Sequence, residues 1–190
     1  MAQLREDNFL NPDRVVVDIG VRDGMCVADF GCGSGAFSLA SARVVGPHGE
    51  VWAIDADRQM LSRLVSMARA ENLENRLHIL TRDVEKREGS GLPDDFVDIV
   101  IAANILFSTD DKEMLAKEVY RVLKGEINGA FGYVGKVLLI DWEDSFNGVG
   151  PPHECIVNKH DAREIFERAG FSFVQDVPAG SHHWGMIMRK

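Results

Sequence analysis

The sequence predicts an α/β fold, a doubly wound and mostly parallel sheet of seven strands that ends in an antiparallel hairpin. Three observations predict it. Apolar runs of strand length alternate with amphipathic stretches, the pattern of parallel strands joined by crossover helices. A glycine-rich turn, Gly31 to Gly35, lies between the first such run and the helical stretch that follows it. The last two runs are linked by only Pro178-Ala-Gly-Ser181, too short for a crossover, so they pair antiparallel.

Taken in order, Asn11-Pro12-Asp13 reads as an N-cap with proline at the first helical position, opening a short helix from Arg14 to Ile19. Gly20 and Gly24 bracket its exit. Cys26 to Phe30 is the first strand, and Gly35 to Val45 a helix stopped by Gly46-Pro47. Val51 to Ile54 is the second strand. Asp57 caps a helix whose Met60, Leu61, Leu64, Val65 and Ala68 fall at helical spacing, with Arg58, Arg63 and Arg69 outward. Leu77 to Leu80 is strand three. Phe96 to Ala102 is apolar enough for a central strand buried on both faces. Asp110 to Leu123 is a helix with Met114, Leu115, Val119 and Val122 on one stripe. Lys136 to Asp141 makes strand five, and a helix from Lys159 to Ala169 stops at Gly170. Phe171 to Val177 and His182 to Arg189 form the hairpin, completing a Rossmann-like sheet.

Length and composition bound what such a chain does. At 190 residues it fits one domain over 1–190: a helical segment over 1–24, a core over 25–141, and a loop, helix and hairpin over 142–190. With 21 basic against 30 acidic residues its net charge is -9, which disfavours nucleic acid as a partner. Three cysteines, Cys26, Cys32 and Cys155, do not make a disulfide framework and fit a reducing compartment, so the expected location is cytoplasmic. The first ten residues carry Arg5, Glu6 and Asp7 where a secretory signal needs an apolar run, and no run approaches the ~20 residues of a membrane span.

The chemistry concentrates in Asp29-Phe-Gly31-Cys32-Gly33-Ser-Gly35, at the strand-to-helix turn where such sheets bind nucleotide-bearing cofactors. Amides at the start of the following helix are expected to favour an anionic ligand group, a phosphate or a carboxylate. Asp55 ends strand two, placed to accept both ribose hydroxyls of an adenosine; its plainer role is in capping beside Asp57. Asp83 follows strand three, placed for an adenine amine, and Asn104 ends strand four at the same edge. Gly31-x-Gly33-x-x-Ala36 also satisfies a dinucleotide fingerprint, so an NAD-dependent dehydrogenase competes. Against it stand the acid at Asp29, the third glycine at Gly35, and the mere 50 or so residues after strand five, too few for a substrate domain.

Val27 to Gly35, Val-Ala-Asp-Phe-Gly-Cys-Gly-Ser-Gly, resembles motif I of the class I S-adenosylmethionine-dependent methyltransferases. Asp55, Asp83, Phe96 to Asn104, Val137 to Asp141 and the reversed strand His182 to Arg189 match the family's later motifs, so the resemblance covers nearly the whole chain. It is greatest to small methyltransferase-domain proteins akin to those of ubiquinone and menaquinone biosynthesis. The resemblance implies S-adenosylmethionine as cofactor, S-adenosylhomocysteine as product, and a small-molecule acceptor. It implies that Asp29, Gly31 and Gly33 surround the methionine moiety, Asp55 the ribose, and Asp83 with Val84 the adenine, with Cys32, Gly35, Ala56, Met60 and Asn104 also binding the cofactor. The chain departs from the family at Gly125 to Gly135, which replaces a short Pro-Gly-Gly turn and reads as a surface insertion or subunit contact through Phe131 and Tyr133.

In-line methyl transfer needs alignment more than any one catalytic group, but an acceptor that loses a proton needs a base. An antiparallel last strand brings His182-His183-Trp184 beside Asp141-Trp142, and the loop Glu143 to Val157 closes over that edge. His153, His183 and Asp141 are therefore the candidates for acceptor contact or proton removal, with hydrogen bonding within the fold as their plainer role. His153, His160, His182, His183 and Cys155 raise a metal site, yet no familiar zinc spacing is present and none is expected. Phe9, Leu10 and the helix after Pro12 either fold over the cofactor or simply pack on the sheet. A methyltransferase of RNA or protein, or a domain that binds the cofactor without turnover, are the remaining alternatives.

Overall fold

The computed structural model describes residues 10–125, 134–146 and 148–190. Its elements run α1 (Pro12–Asp18), β1 (Cys26–Phe30), α2 (Ala36–Val44), β2 (Glu50–Asp55), α3 (Arg58–Ala70), β3 (Leu77–Thr81), β4 (Ile99–Ala103), α4 (Lys112–Val122), β5 (Lys136–Trp142), α5 (Lys159–Arg168), β6 (Ser172–Asp176) and β7 (His183–Arg189). The seven strands lie in the order β3-β2-β1-β4-β5-β7-β6. The first five are parallel, while β7 is antiparallel to both β5 and β6. The order reverses between β1 and β4, so their crossovers leave in opposite directions and open a crevice at the carboxyl edge.

Local chemistry sets the helix starts. The Asn11 side chain accepts from the Arg14 amide at 3.1 Å, with Pro12 in the first turn. Asp57 accepts from Gln59 and Met60, and Asp111 from Met114. Each strand sends alternate residues to opposite faces. Val27, Ile99, Ile101, Leu138 and Ile140 meet α1, α2 and α3 on one face, where Leu39, Leu61 and Leu64 are buried. Ala28, Phe30, Val100 and Leu139 meet α4 and α5 on the other, through Leu115, Val119 and Phe166.

Three expectations need correction. β4 starts at Ile99 rather than Phe96: the Phe96 and Val97 amides donate to the Val122 carbonyl instead of to a strand, and Asp98, still bonded through its backbone to Cys26 and Lys136, turns its carboxylate to the Cys26 amide and Lys124. On α3, Met60 and Val65 are exposed; Leu61, Leu64 and Ala68 alone face the core. On α4, Met114 lies at the margin of a buried stripe of Leu115, Ala116, Val119 and Val122. The edge strand β6 carries a bulge, with its register on β7 shifting between Phe173 and Gln175, and Val174 is exposed there. Phe131, Tyr133 and Phe9 lie outside the described residues. No described helix is long and apolar enough to cross a membrane.

Candidate functional site

The turn after β1 is built by backbone geometry. Gly31, Gly33 and Gly35 all take positive φ, at 69, 54 and 88°. At two of them a side chain would also collide: a Cβ on Gly31 would stand 2.6 Å from Ile105, and one on Gly35 2.2 Å from Leu64. At Gly33 the space is open, with nothing within 4 Å. The turn is tied to the end of β2, for the amides of Gly31 and Cys32 donate to the Ile54 carbonyl at 2.8 and 3.1 Å. The Gly33 amide donates to the Asp55 carboxylate at 2.7 Å, whose other oxygen accepts from the Asp57 amide at 2.8 Å.

The amides of Gly31, Cys32 and Gly33 are committed to Ile54 and Asp55, and that of Gly35 to the Cys32 carbonyl. Asp55 is nonetheless open to a ligand, since each carboxylate oxygen has a further lone pair.

Two cavities meet at this turn. One, of about 450 Å³, is lined by Gly31, Gly33, Asp55, Ala56, Met60, Asp83, Val84 and Asn104. Its far wall is Ile105, Phe107, Ser108 and Thr109, and Arg82, Asp57 and Glu85 complete it. The other, of about 370 Å³, lies between the turn and α1, lined by Asp29, Cys32, Ser34, Phe37 and Ala103 with Leu10 and Pro12. Gly31, Gly33 and Asn104 border both. Of the residues expected around a cofactor, ten reach these cavities; Gly35 lies behind them as the N-cap of α2. The wall from Ile105 to Thr109 carried no sequence signal, because distant carboxylates place it.

The lining is acidic. Asp29 is buried and accepts from the Ser38 hydroxyl at 2.5 Å. Burial pushes its carboxyl up to about 7, the Ser38 bonds oppose that, and the nearby Asp55 charge adds to it. Asp83 is held low, chiefly by the Lys86 ammonium 2.9 Å away and partly by the Glu85 amide. Burial raises the Cys32 thiol far above its ordinary range, so it stays protonated and serves as packing. Asn104, at φ 55°, has a buried side-chain oxygen with no hydrogen-bond partner among the described residues.

The three acceptor-side candidates are not brought together. Asp141 is fully buried on the α4 face, where it accepts from the Leu106 and Trp142 amides at 2.8 Å each. A carboxylate saturated by backbone in this way does not face a substrate, which corrects its expected role. His153 is exposed on the turn His153–Cys155 and lines neither cavity. His183 stands opposite Trp142 across β5 and β7, on the face that carries Ala103 and Asp29, its ring tilted at 37° against Trp142 with centroids 4.2 Å apart, and it too lines neither cavity. Its Nε2 is buried with no hydrogen-bond partner among the described residues, and burial, with His182 next to it, holds its pKa below the ordinary histidine value. His182 pairs with Asp144 at 2.8 Å and stacks on Phe146. Gly150 closes the 143–157 loop over the Trp142 ring. Among the described residues no group of three or more His, Cys, Asp or Glu side chains could hold a metal ion.

Comparison with known proteins agrees with this geometry. A demethylmenaquinone methyltransferase of Lactobacillus johnsonii is 29% identical over 136 residues, covering 66% of this chain and 52% of that protein. The ubiquinone/menaquinone biosynthesis C-methyltransferase UbiE of Vibrio campbellii is 29% identical over 105 residues, covering 55% of this chain and 39% of that protein. The chain thus spans about half or less of the curated relatives it matches. The crystal structure of a SAM-dependent methyltransferase from Aquifex aeolicus superposes with a TM-score of 0.82 at 24% identity, over 98% of this chain and 93% of that one, and shows the same fold. Residues 27–126, from β1 past the end of α4 and so including the glycine turn, Asp55, Asp83 and Asn104, match the methyltransferase domain family, and the chain belongs to that family.

Proposed function

We propose that the protein transfers a methyl group from S-adenosylmethionine to a small-molecule acceptor, in the cytoplasm. The observation that carries the choice of cofactor is the 2.7 Å bond from the Gly33 amide to Asp55. At the glycine whose backbone a dinucleotide's pyrophosphate would approach, a carboxylate is already seated, and Asp29, Asp55, Asp57, Asp83 and Glu85 outnumber Arg82 around the two cavities. Such a lining favours a ligand with cationic groups. The unpartnered Asn104 oxygen between the cavities and the open space before Gly33 fit an elongated ligand crossing from one to the other.

The bound cofactor supplies an electrophilic methyl group on a sulfonium and leaves as S-adenosylhomocysteine. The chain's own residues hold it. Asp29 would face the ammonium end, Asp55 would accept from the ribose hydroxyls, and Asp83 with the Val84 backbone would take the adenine edge, while Met60 and Ile105 would cover apolar surface. The acceptor enters from the β5–β7 edge, where Trp142 and His183 share a face with Ala103. His183, whose pKa burial holds below the ordinary histidine value, is the group at that edge able to take a proton once its buried Nε2 is uncovered. The relatives named for menaquinone and ubiquinone biosynthesis support a small organic acceptor.

Calorimetric titration with S-adenosylhomocysteine and, separately, NAD tests this reading. Saturable binding of the former, weakened in Asp55→Ala, is expected; binding of NAD alone, or of neither, overturns it.

A further inference from the structure

The wall facing the adenine side of the larger cavity has no regular ladder to hold it. It begins at Asn104, in a left-handed conformation, and continues through a single turn, Leu106–Ser108, before α4 begins at Lys112. Inside the segment the Ser108 and Thr109 hydroxyls donate to the Ile105 carbonyl at 3.0 and 2.9 Å. Two carboxylates from elsewhere in the sequence tie it down, beside the bond from the Asn104 amide to the Ile140 carbonyl and the burial of Leu106 in the core. At its start the buried Asp141 accepts from the Leu106 amide at 2.8 Å, and the Ile105 and Phe107 amides also favour its charge. At its end Glu85 Oε2 accepts from the Asp110 and Asp111 amides at 2.8 and 3.0 Å.

The consequence reaches the glycine turn. Ile105 packs so closely over Gly31 that a Cβ there would stand 2.6 Å from it, and Ile105 is placed by the turn that Asp141 holds. Burial pushes the Asp141 carboxyl up to about 6 in spite of its amide partners, so its charge at neutral pH is maintained at a cost to folding. A carboxylate kept under those conditions calls for a benefit other than stability.

We propose that Asp141, with Glu85 at the far end, is a positioning residue that fixes residues 105–111 as the wall of the cofactor cavity and seats Ile105 against Gly31. The proposal rests on the cofactor reading above. It assigns Asp141 no contact with the cofactor or the acceptor. Its effect passes through the backbone of Leu106.

The test is titration of the full chain with S-adenosylhomocysteine and with adenosine, for the unmodified protein, Asp141→Asn and Glu85→Gln, together with amide hydrogen exchange. Asp141→Asn is expected to weaken both ligands about tenfold and by the same factor, since the wall serves the adenosine half. Exchange is expected to accelerate at residues 105–107 and to stay unchanged along β4, β5 and β7. Glu85→Gln is expected to weaken both ligands two- to threefold and to speed exchange at residues 110 and 111, a change that its place in the cavity lining alone would not produce, and it decides the matter if Asp141→Asn does not fold. Affinities within 1.5-fold of the unmodified protein in the folded variants overturn the proposal. So does an affinity loss accompanied by faster exchange throughout the central strands, which would make Asp141 a support of the whole sheet. If the unmodified protein binds neither ligand, the cofactor reading itself fails.

Discussion

The carboxyl edge of this sheet has two halves built on different rules. Around the β1–α2 turn the backbone does the work: three glycines at positive φ bend the chain, and Asp55 takes the amide that the bend exposes. Around β5 and β7 the backbone is plain paired strand and side chains make the surface, with Trp142 on His183 and Phe146 on His182. A pocket shaped by main-chain conformation admits few substitutions. One shaped by stacked rings on regular strands can be re-cut without touching the fold, which suits a common cofactor on one side and a particular acceptor on the other.

The contrast is broken most severely by Gly35→Ala. It forces a non-glycine residue to φ 88° and places a methyl group 2.2 Å from Leu64, and urea unfolding is expected to show a loss of about 3–5 kcal/mol. Next is a pH effect in the glycine half. The Asp29 carboxyl lies near 7 when folded and near 4 when unfolded, so the folded protein holds a proton that the unfolded chain releases between those values. Stability therefore falls as pH rises across that window, by about 4 kcal/mol, and levels off above it. Asp29→Asn is expected to abolish the part of the decline between pH 6 and 7, leaving only the lower part that Asp141 shares.

Asp55→Ala removes the partner of the Gly33 and Asp57 amides together with a ligand acceptor, and a 10- to 100-fold weaker S-adenosylhomocysteine affinity is expected by calorimetry. The smallest effect lies in the ring-built half. Followed by NMR, the His183 ring is expected to titrate below the ordinary histidine range, to move further down in Asp144→Asn and to move up in His182→Gln. In both variants the cofactor affinity is expected to stay unchanged, which separates the two halves.

The same division explains what could be read in the chain. Periodicity, caps and glycines are local, so every strand and helix was found within a few residues, and Asp29, Asp55, Asp83 and Asn104 fell where a parallel sheet must place them. Topology also put His183 opposite Trp142 correctly. Asp141 was misread because a carboxylate at a strand end looks the same in sequence whether it faces a ligand or backbone amides 35 residues away. His153 was named for its loop and lies exposed outside both cavities, and the 105–109 wall was missed because its anchors come from β5 and from the segment after β3. Contacts of that kind have no period.

The bulge at Val174 has a consequence for how the molecule behaves in company. β6 is the last strand on its side, and a regular edge offers a neighbour a repeating row of free N–H and C=O groups. The register shift between Phe173 and Gln175 interrupts that row, and a bulge twists the strand locally, so a strand from another chain finds no continuous template there. The hairpin that carries His183 thereby blunts the β6 edge of the sheet against pairing with another chain.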